Sequence, residues 1–592
     1  MKRLLYKTTI AVFTLSCFSL VSCKKSYLDK EPLGTTNEAT LATKAGVNGL
    51  LVGAYYCLNN GWLYNSEYLW AEIPSDEAYF GSYGSASWGM EFFTFDPNFY
   101  IFNGKWGVIF TSVQRCNDVL RVLAKVPDGS ITPEDALQLK AEAVFLRALF
   151  HFQGLRIFGH IPYLDETVSF ENGNYNVSNT EPIWSKIEAD FQFAADNLTE
   201  TKPDAGRANS WAAKAFLAKT YMFEHKYAEA QPLLADIIAH GMTANGKKYG
   251  LVAKYEDNFD PATKNNEESV FAVQMDVHDG SGGDNGNIKS GAGYTGPYGG
   301  PIVTYGWLQP SFSLANSYKT DPVTGLPYVY TFNDADIKSD LNVASSDPYT
   351  PYDGTLDPRI DWTMGRRGIP YLDWGINPGN NWVSQQSTGG PYTNIKATAP
   401  QREPEAIENF SKAVNECLIR FADVLLWAAE VEVETGSLAQ AETYVNMVRT
   451  RAANPDGFVH TYIDNNDPLK GFTNIPAANY KVGLYNGQFV ANGQDFARES
   501  VRFERKLELA MENHRFYDLQ RWDNGTGYMA DVIEASHAHD VNIPGFLMEG
   551  RDQWLGGARF TKGKNEYFPI PQTQIDLSNT GTGAALVQNP GY

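Results

Sequence analysis

The chain has 592 residues, a formal net charge of −21, and aromatic residues at 13% of the total. This acidic balance argues against nucleic-acid binding and against a cationic protein of the membrane surface. The five cysteines contain no C-x-x-C pair, which argues against a disulfide framework and against a redox or zinc site of that type.

The first residues have the pattern of an export signal. Lys2, Arg3 and Lys7 precede an apolar run over residues 10–21, which ends in Leu-Val-Ser before Cys23. This arrangement predicts a lipoprotein signal over residues 1–22, removed so that Cys23 becomes acylated, and a lipidated tether over residues 23–44. The alternative is an ordinary signal peptide with a stray cysteine. No later apolar run is long enough to cross a bilayer.

Residues 45 to about 245 have helical periodicity. Thr132 and Pro133 provide a cap and a first-turn proline for a long helix with one apolar face. Thr180-Glu181-Pro182 predicts the start of a helix that runs through Leu198, and Ser210 is predicted to cap a helix that begins at Trp211.

Two segments have the spacing of a tetratricopeptide-type helical hairpin. One covers residues 211–240, and a second covers residues 428–448 with Gly436 at its turn. A third, more divergent copy is indicated near residues 145–148. Helical-repeat scaffolds mostly bind other molecules through their surfaces and rarely carry catalysis.

Residues from about 245 to 410 lose this periodicity and are rich in glycine and proline, which predicts turns and loops apart from a strand near residues 270–275. Six aromatic residues stand beside or within a few residues of Gly or Pro there: Tyr294, Tyr298, Trp307, Trp374, Trp382 and Tyr392. We therefore expect a mostly α fold, a tetratricopeptide-like helical-repeat scaffold over residues 45–592. Its long, loop-rich, irregular insertion is expected to carry the binding surface.

No motif supports catalysis, a cofactor or a metal. Residues 291–296 match G-x-G-x-x-G, but Pro297 follows and no helix opens there. His537-Ala538-His539-Asp540 matches no zinc spacing and is better read as a solvated loop, and residues 284–287 lack the later ligands of a calcium loop. We expect a protein that is not an enzyme and holds no cofactor or metal.

The segment over residues 66–95 places Asp76, Tyr79, Tyr83 and Trp88 in and around a Gly/Ser loop. Aromatic rings stack on the C–H faces of sugars, and polar groups bind the hydroxyl edges, so this composition suits a glycan-binding surface. The alternative is that these rings pack beneath the loop.

The C-terminal residues carry a family resemblance. Residues 501–522 resemble the hallmark helix of the SusD/RagB family of nutrient-binding lipoproteins of Bacteroidetes. Further segments similar to that family are Tyr27-Leu28-Asp29, Ser75-Asp76-Glu77, Asp357-Pro358-Arg359, residues 420–426, residues 567–571 and residues 588–592. Within the helix, Glu504, His514 and Arg521 are expected to be scaffold rather than binding residues.

The resemblance implies a lipid-anchored outer-membrane protein, exposed at the cell surface. It would bind glycans and act in nutrient uptake with a SusC-like TonB-dependent transporter, and it would have four tetratricopeptide-type units. Relatives build their sites in the loops around residues 76–88 and 290–392. Within these loops we predict stacking by Trp88, Tyr294, Trp374 and Tyr392, and hydroxyl binding by Asp76, Arg366 and Arg367.

Two alternatives remain open at this stage. Arg366 and Arg367 could equally clamp a loop carboxylate. For the whole protein, the alternative is a surface assembly or adhesion protein that binds a protein partner through its helical repeats; a surface hydrolase is the least supported class.

Overall fold

The computed structural model describes residues 38–592 with gaps at 62, 65, 82–87, 278–295, 302–303, 397, 404–406, 409–410, 547–559 and 582. The predictions for the signal, for Cys23 and for Tyr294 lie outside the described residues, as does most of the tether.

Residues 38–240 form a series of helices in which neighbours along the chain pack together. Their bounds are α1 (Glu38–Leu41), α2 (Lys44–Tyr56), α3 (Tyr68–Ala71), α4 (Trp88–Phe92), α5 (Tyr100–Leu123), α6 (Pro133–Phe158), α7 (Trp184–Asn197), α8 (Ser210–Phe223) and α9 (Tyr227–His240). Helix α5 packs on α6, α6 on α7, α7 on α8, and α8 on α9. The antiparallel pair α8/α9 confirms the predicted hairpin.

The predicted starts of these helices hold in one case and shift in two. The Thr132 hydroxyl accepts a hydrogen bond from the Asp135 amide, so α6 begins as predicted. Helix α7 begins only at Trp184, after Thr180-Glu181-Pro182. The cap of α8 is Asn209, whose side chain accepts from the Ala212 amide, and Ser210 is already the first helical residue.

The irregular insertion is closed at its base by a two-stranded antiparallel sheet. Strand β2 (Ser269–Val273) precedes most of the insertion and pairs with β8 (Glu416–Arg420), which follows it, with Ser269 opposite Arg420. The predicted strand near 270–275 is therefore confirmed. Pairing these two strands brings the chain back beside the helical repeats that it left.

Between β2 and β8 the described chain contains short elements joined by turns, as the glycine and proline content predicts. The helices are α10 (Phe312–Ser317), α11 (Ile360–Thr363) and α12 (Gln386–Gly389). The strands are β3 (Gln309–Pro310), which pairs with β1 (Ala78–Tyr79), β4 (Met364–Gly365) with β5 (Thr393–Asn394), and β6 (Ile407–Glu408) with β7 (Ser411–Lys412).

The second predicted hairpin follows β8. Helices α13 (Phe421–Thr435) and α14 (Leu438–Ala452) pack together, and Gly436 ends α13 in the left-handed conformation with φ of 107°. Helix α9 packs against α13. The two hairpins are therefore neighbours in space although the insertion separates them in sequence, and the helical-repeat scaffold is confirmed.

The remaining chain adds a strand ribbon and a helical C-terminal part. Its elements are β9 (His460–Tyr462), β10 (Phe472–Pro476), α15 (Gln488–Asn492), α16 (Gln494–Leu509), α17 (Arg515–Asp523), α18 (Tyr528–Asp540) and α19 (Gln572–Leu577). His537, His539 and Asp540 lie in α18, so the prediction of a loop there was wrong.

The predicted single helix over residues 501–522 is also wrong, because the chain breaks between α16 and α17. Met511 and Asn513 have φ of 62° and 66°, a conformation that side chains rarely adopt. Here the amide of Met511 donates to Glu77, and the amide of Asn513 donates to Glu72. The break thus turns two amides toward carboxylates of the N-terminal segment.

Buried ion pairs join α16 to the insertion and to the second hairpin. Glu508 is paired with Arg359 at 2.9 Å, with Arg420 at 2.8 Å, and with Arg451. Glu504 forms an ion pair with Arg359 at 2.8 Å. Burial alone would raise the pKa of Glu508, but the three guanidinium groups hold it well below its usual range. The expectation that Glu504 belongs to the scaffold agrees with this placement.

In the described part of the chain, no helix is both long enough and apolar enough to cross a membrane.

Candidate functional site

The candidate site lies where three segments of chain converge. Strand β1 pairs with β3, so that Tyr79 lies opposite Gln309. The Tyr79 hydroxyl donates to Asp540 of α18 and accepts from the Phe312 amide of α10 at 3.2 Å. These bonds attach the strand pair to helices α10 and α18. Residues 305–308, just before β3, therefore lie against the helical part of the protein.

The third segment, residues 381–392, packs closely on this strand pair. The Gln309 side chain donates to the carbonyl of Tyr392 at 3.3 Å. A Cβ atom on Gly389 would lie 1.7 Å from the Gln309 Oε1 atom and 2.8 Å from the Cα atom of Gly81. Only glycine allows this approach of the two backbones.

Aromatic rings cover the outer side of the convergence. Trp307 packs on Phe80 with ring centroids 5.0 Å apart, and Tyr305 lies 5.7 Å from Trp307. Tyr305 is 51% exposed, Tyr298 is 47% exposed, and Trp307 is half-buried. We call Tyr298, Tyr305 and Trp307 the aromatic platform.

Two further tryptophans lie in segments that border the platform. Trp382 is half-buried against Tyr371, with centroids 5.3 Å apart. Its neighbour Asn381 places a carbonyl 3.0 Å from where a Cβ of Gly299 would lie. Trp88 begins α4, which is tied to the platform because Glu91 accepts from the Phe80 amide at 2.9 Å.

The structure corrects the role predicted for Asp76. Its carboxylate is 4% exposed and is paired with Lys506 at 2.8 Å and with Arg515 at 2.7 Å. Although burial would raise the pKa of Asp76, the two cations hold it well below its usual range. Asp76 joins β1 to the C-terminal helices and presents no free carboxylate to a ligand.

The two predicted arginines are also engaged inside the protein. Arg366 is buried and makes two hydrogen bonds of 2.7 Å to the carboxylate of Asp361, which is the alternative role of clamping a loop carboxylate. Arg367 is buried, donates to the carbonyls of Ser345 and Asp347, and lies over the ring of Tyr349. Both guanidinium groups are therefore bonded to protein groups beneath the surface.

The predicted stacking residues fall into three groups. Tyr392 is buried, and its ring packs on Phe312 with centroids 5.8 Å apart, so it offers no face to a ligand. Trp374 is half-buried and donates to the carbonyl of Ala399 at 2.9 Å, while Trp88 is half-buried in α4. Tyr294 lies outside the described residues.

The platform was only partly visible in the sequence. Tyr298 and Trp307 stand beside glycine in the sequence, but neither is among the predicted binding residues. Tyr305 was not considered, although it precedes Gly306 and the same pattern would have found it. No group of three or more potential metal ligands occurs in the portion of the chain that the structure covers.

Comparison with known proteins gives consistent matches along the chain. A model of the SusD family matches residues 267–592. A second model, described as "Starch-binding associating with outer membrane", matches residues 26–222.

A SusD-like protein of Bacteroides ovatus is 28% identical over 285 residues, which cover 46% of this chain and half of that protein. SusD-like protein P25 of Formosa agariphila is 24% identical over 551 residues, covering 89% of this chain and 91% of that protein.

Among solved structures, surface glycan-binding protein A from Bacteroides thetaiotaomicron in complex with laminarihexaose aligns with a TM-score of 0.60 at 19% identity. The alignment covers 92% of this chain and 99% of that one. At this identity the likeness shows a shared fold. The family match over more than half of the sequence shows that the chain belongs to the SusD family.

Proposed function

We propose that this protein binds an oligosaccharide or polysaccharide at the cell surface, through the aromatic platform, and that it does so without catalysis. The observation that carries this proposal is the exposure of Tyr298 and Tyr305 beside Trp307, in the segment that leads into the β1–β3 strand pair. Exposed rings on a fixed support are suited to the C–H faces of pyranose sugars. The laminarihexaose complex of a protein with the same fold supports the ligand class.

Of the residues predicted from the sequence, we keep Trp88 and Trp374 as proposed contacts and add Tyr298, Tyr305, Trp307 and Trp382. The buried residues Asp76, Arg366, Arg367 and Tyr392 are proposed to support the loops.

The platform can be tested by isothermal titration against a panel of laminarihexaose, maltohexaose, cellohexaose and mannohexaose. Truncation of a central aromatic contact typically costs about 1–2 kcal/mol or more, so Tyr305→Ala should weaken the best ligand about five- to thirtyfold. The matched control is Tyr330→Ala, since Tyr330 is a similarly exposed tyrosine in another segment. Equal glycan affinity of the wild type and of Tyr305→Ala would contradict the proposal. It would also be contradicted if the wild-type protein bound no glycan of the panel but did bind a protein partner.

We further propose that Cys23 carries the lipid anchor and that the protein acts with a SusC-like TonB-dependent transporter at the outer membrane. The support is the sequence Leu-Val-Ser-Cys after an apolar run, and the family description that refers to the outer membrane. More than one acyl chain is needed for stable anchoring. Co-purification of the transporter with the full chain from solubilised outer membranes tests the partner.

A further inference from the structure

A second concave surface lies apart from the platform, between the insertion and the β9–β10 ribbon. It encloses about 800 Å³ and is bordered by residues 254–260, residues 395–402 and the ribbon. This volume is within the range of small-molecule sites, about 300–1,000 Å³. Hereafter we call it the ribbon cleft.

The walls of the ribbon cleft are held together by hydrogen bonds between elements. The Trp362 indole donates to the carbonyl of Gly457 at 2.8 Å. The Tyr462 hydroxyl of β9 donates to the carbonyl of Leu372 at 2.8 Å. Since Trp362 and Leu372 line the cleft, its shape is fixed by the fold.

An exposed ring stands at the cleft. Phe472 of β10 lines it and is 38% exposed, with its ring tilted against Tyr462 at a centroid distance of 5.1 Å. Thr473 and Asn474 follow Phe472 and also line the cleft. The Thr473 hydroxyl is hydrogen-bonded to Thr461 and accepts from the Ile475 amide, so the side-chain amide of Asn474, two residues along the strand from Phe472, is the polar group offered beside the ring. A ring face next to an amide suits the C–H faces and hydroxyl edges of a sugar.

One buried polar atom of the cleft has no partner. The Oε2 atom of Glu256 makes no hydrogen bond among the described residues, and it is inaccessible, so it would meet a ligand only after the side chain turned toward the cleft. In its buried position the pKa of Glu256 is raised to about 8 by burial.

Three cations line the cleft, Lys254, Lys396 and Arg402, and two of them are neutralised within the protein. Arg402 pairs with Asp260 and, at 3.4 Å, with Asp373. Lys396 pairs with Glu512 at 2.7 Å. Because Lys396 and Arg402 are engaged, and because Asp257 and Asp456 also line the cleft, it favours an uncharged ligand rich in hydroxyl groups over an anionic one.

We propose that the ribbon cleft is a second binding site, for a neutral oligosaccharide. This inference rests on the proposed function, since it extends the same ligand class to another surface. The two sites are linked by one loop, in which Tyr371 packs on Trp382 beside the platform and Leu372 lines the cleft. Two sites on one body would increase the avidity for a long glycan without any new contact at the platform.

The test uses the full chain and the same four hexaoses, in a background that carries Tyr305→Ala and Trp382→Ala. Residual binding should persist there, and Phe472→Ala should weaken it at least fivefold. Asn474→Ala, an exposed substitution on the same strand, should weaken it as well. The matched control is Ile475→Ala, because Ile475 is 64% exposed on β10 but does not line the cleft.

The outcomes separate the two proposals. If the double variant loses all glycan binding while wild type binds, the cleft is refuted and the platform stands. If Ile475→Ala reduces the residual affinity as much as Phe472→Ala, the cleft is also refuted. If wild type binds none of the four sugars, the proposed function fails together with the cleft.

Discussion

Replacing Asp76 by Asn tests whether this residue is scaffold. The substitution keeps the shape of the side chain but removes the charge that neutralises Lys506 and Arg515, at 2.8 Å and 2.7 Å. All three side chains are at most 8% exposed, so water cannot replace the lost carboxylate. Breaking a buried pair on one side typically costs about 3–5 kcal/mol. We expect a loss of that size in the free energy of unfolding.

The assay is urea unfolding followed by tryptophan fluorescence, with Asp236→Asn as the matched control. Asp236 pairs with Lys214 at 2.7 Å, but its side chain is 38% exposed. Solvent screening reduces the effect of an exposed pair to about 0–1 kcal/mol. Adding Lys506→Met to Asp76→Asn should recover part of the loss, because one stranded cation is removed. Unchanged unfolding together with lost glycan affinity would refute the scaffold role and restore Asp76 as a ligand residue.

Three further predictions concern protonation and anchoring. Burial and the neighbouring Glu77 raise the pKa of Glu72 above its ordinary value of 4.5. Above that pH the unfolded state loses the proton that the folded state keeps, so the protein loses stability as the pH rises. Glu72→Gln should flatten this fall in melting temperature, and an unchanged slope would contradict the reasoning. Hydrogen bonds to Asp336 and Asp540 raise the pKa of His539 to about 9. His539→Gln should therefore destabilise the protein at pH 6, where the histidine is charged, and have little effect at pH 10. An equal loss of stability at both pH values would be inconsistent with a charged His539. Cys23→Ala should abolish retention in the membrane fraction and leave glycan affinity unchanged; retention of the variant would exclude a lipid anchor at this residue.

Local signals in the sequence predicted the elements that local interactions determine. The cap at Thr132 and the turn at Gly436 lie within one helix end or one hairpin, so their residues suffice to place them. The same holds for the loop-rich character of the insertion. The break after α16 could not be found in this way, because the amides of Met511 and Asn513 are stabilised by Glu77 and Glu72, more than 400 residues earlier.

The candidate site shows the same limit. Asp76 and Tyr305 both stand in loop-like sequence, yet Asp76 is buried by contacts with α16 and α17 whereas Tyr305 remains at the surface. Which aromatic or polar residue of a loop faces solvent depends on long-range pairing, here that of β1 with β3. The sequence predicts a region and a ligand class, but the exposure of individual residues in that region follows from the fold.

The most direct test of the proposed site is a crystal structure of the protein with the tightest-binding hexaose of the panel. A pyranose ring stacked on Tyr305 or Trp307 is the predicted result. Density for the sugar that leaves both rings uncovered would contradict the aromatic platform as the glycan-binding site.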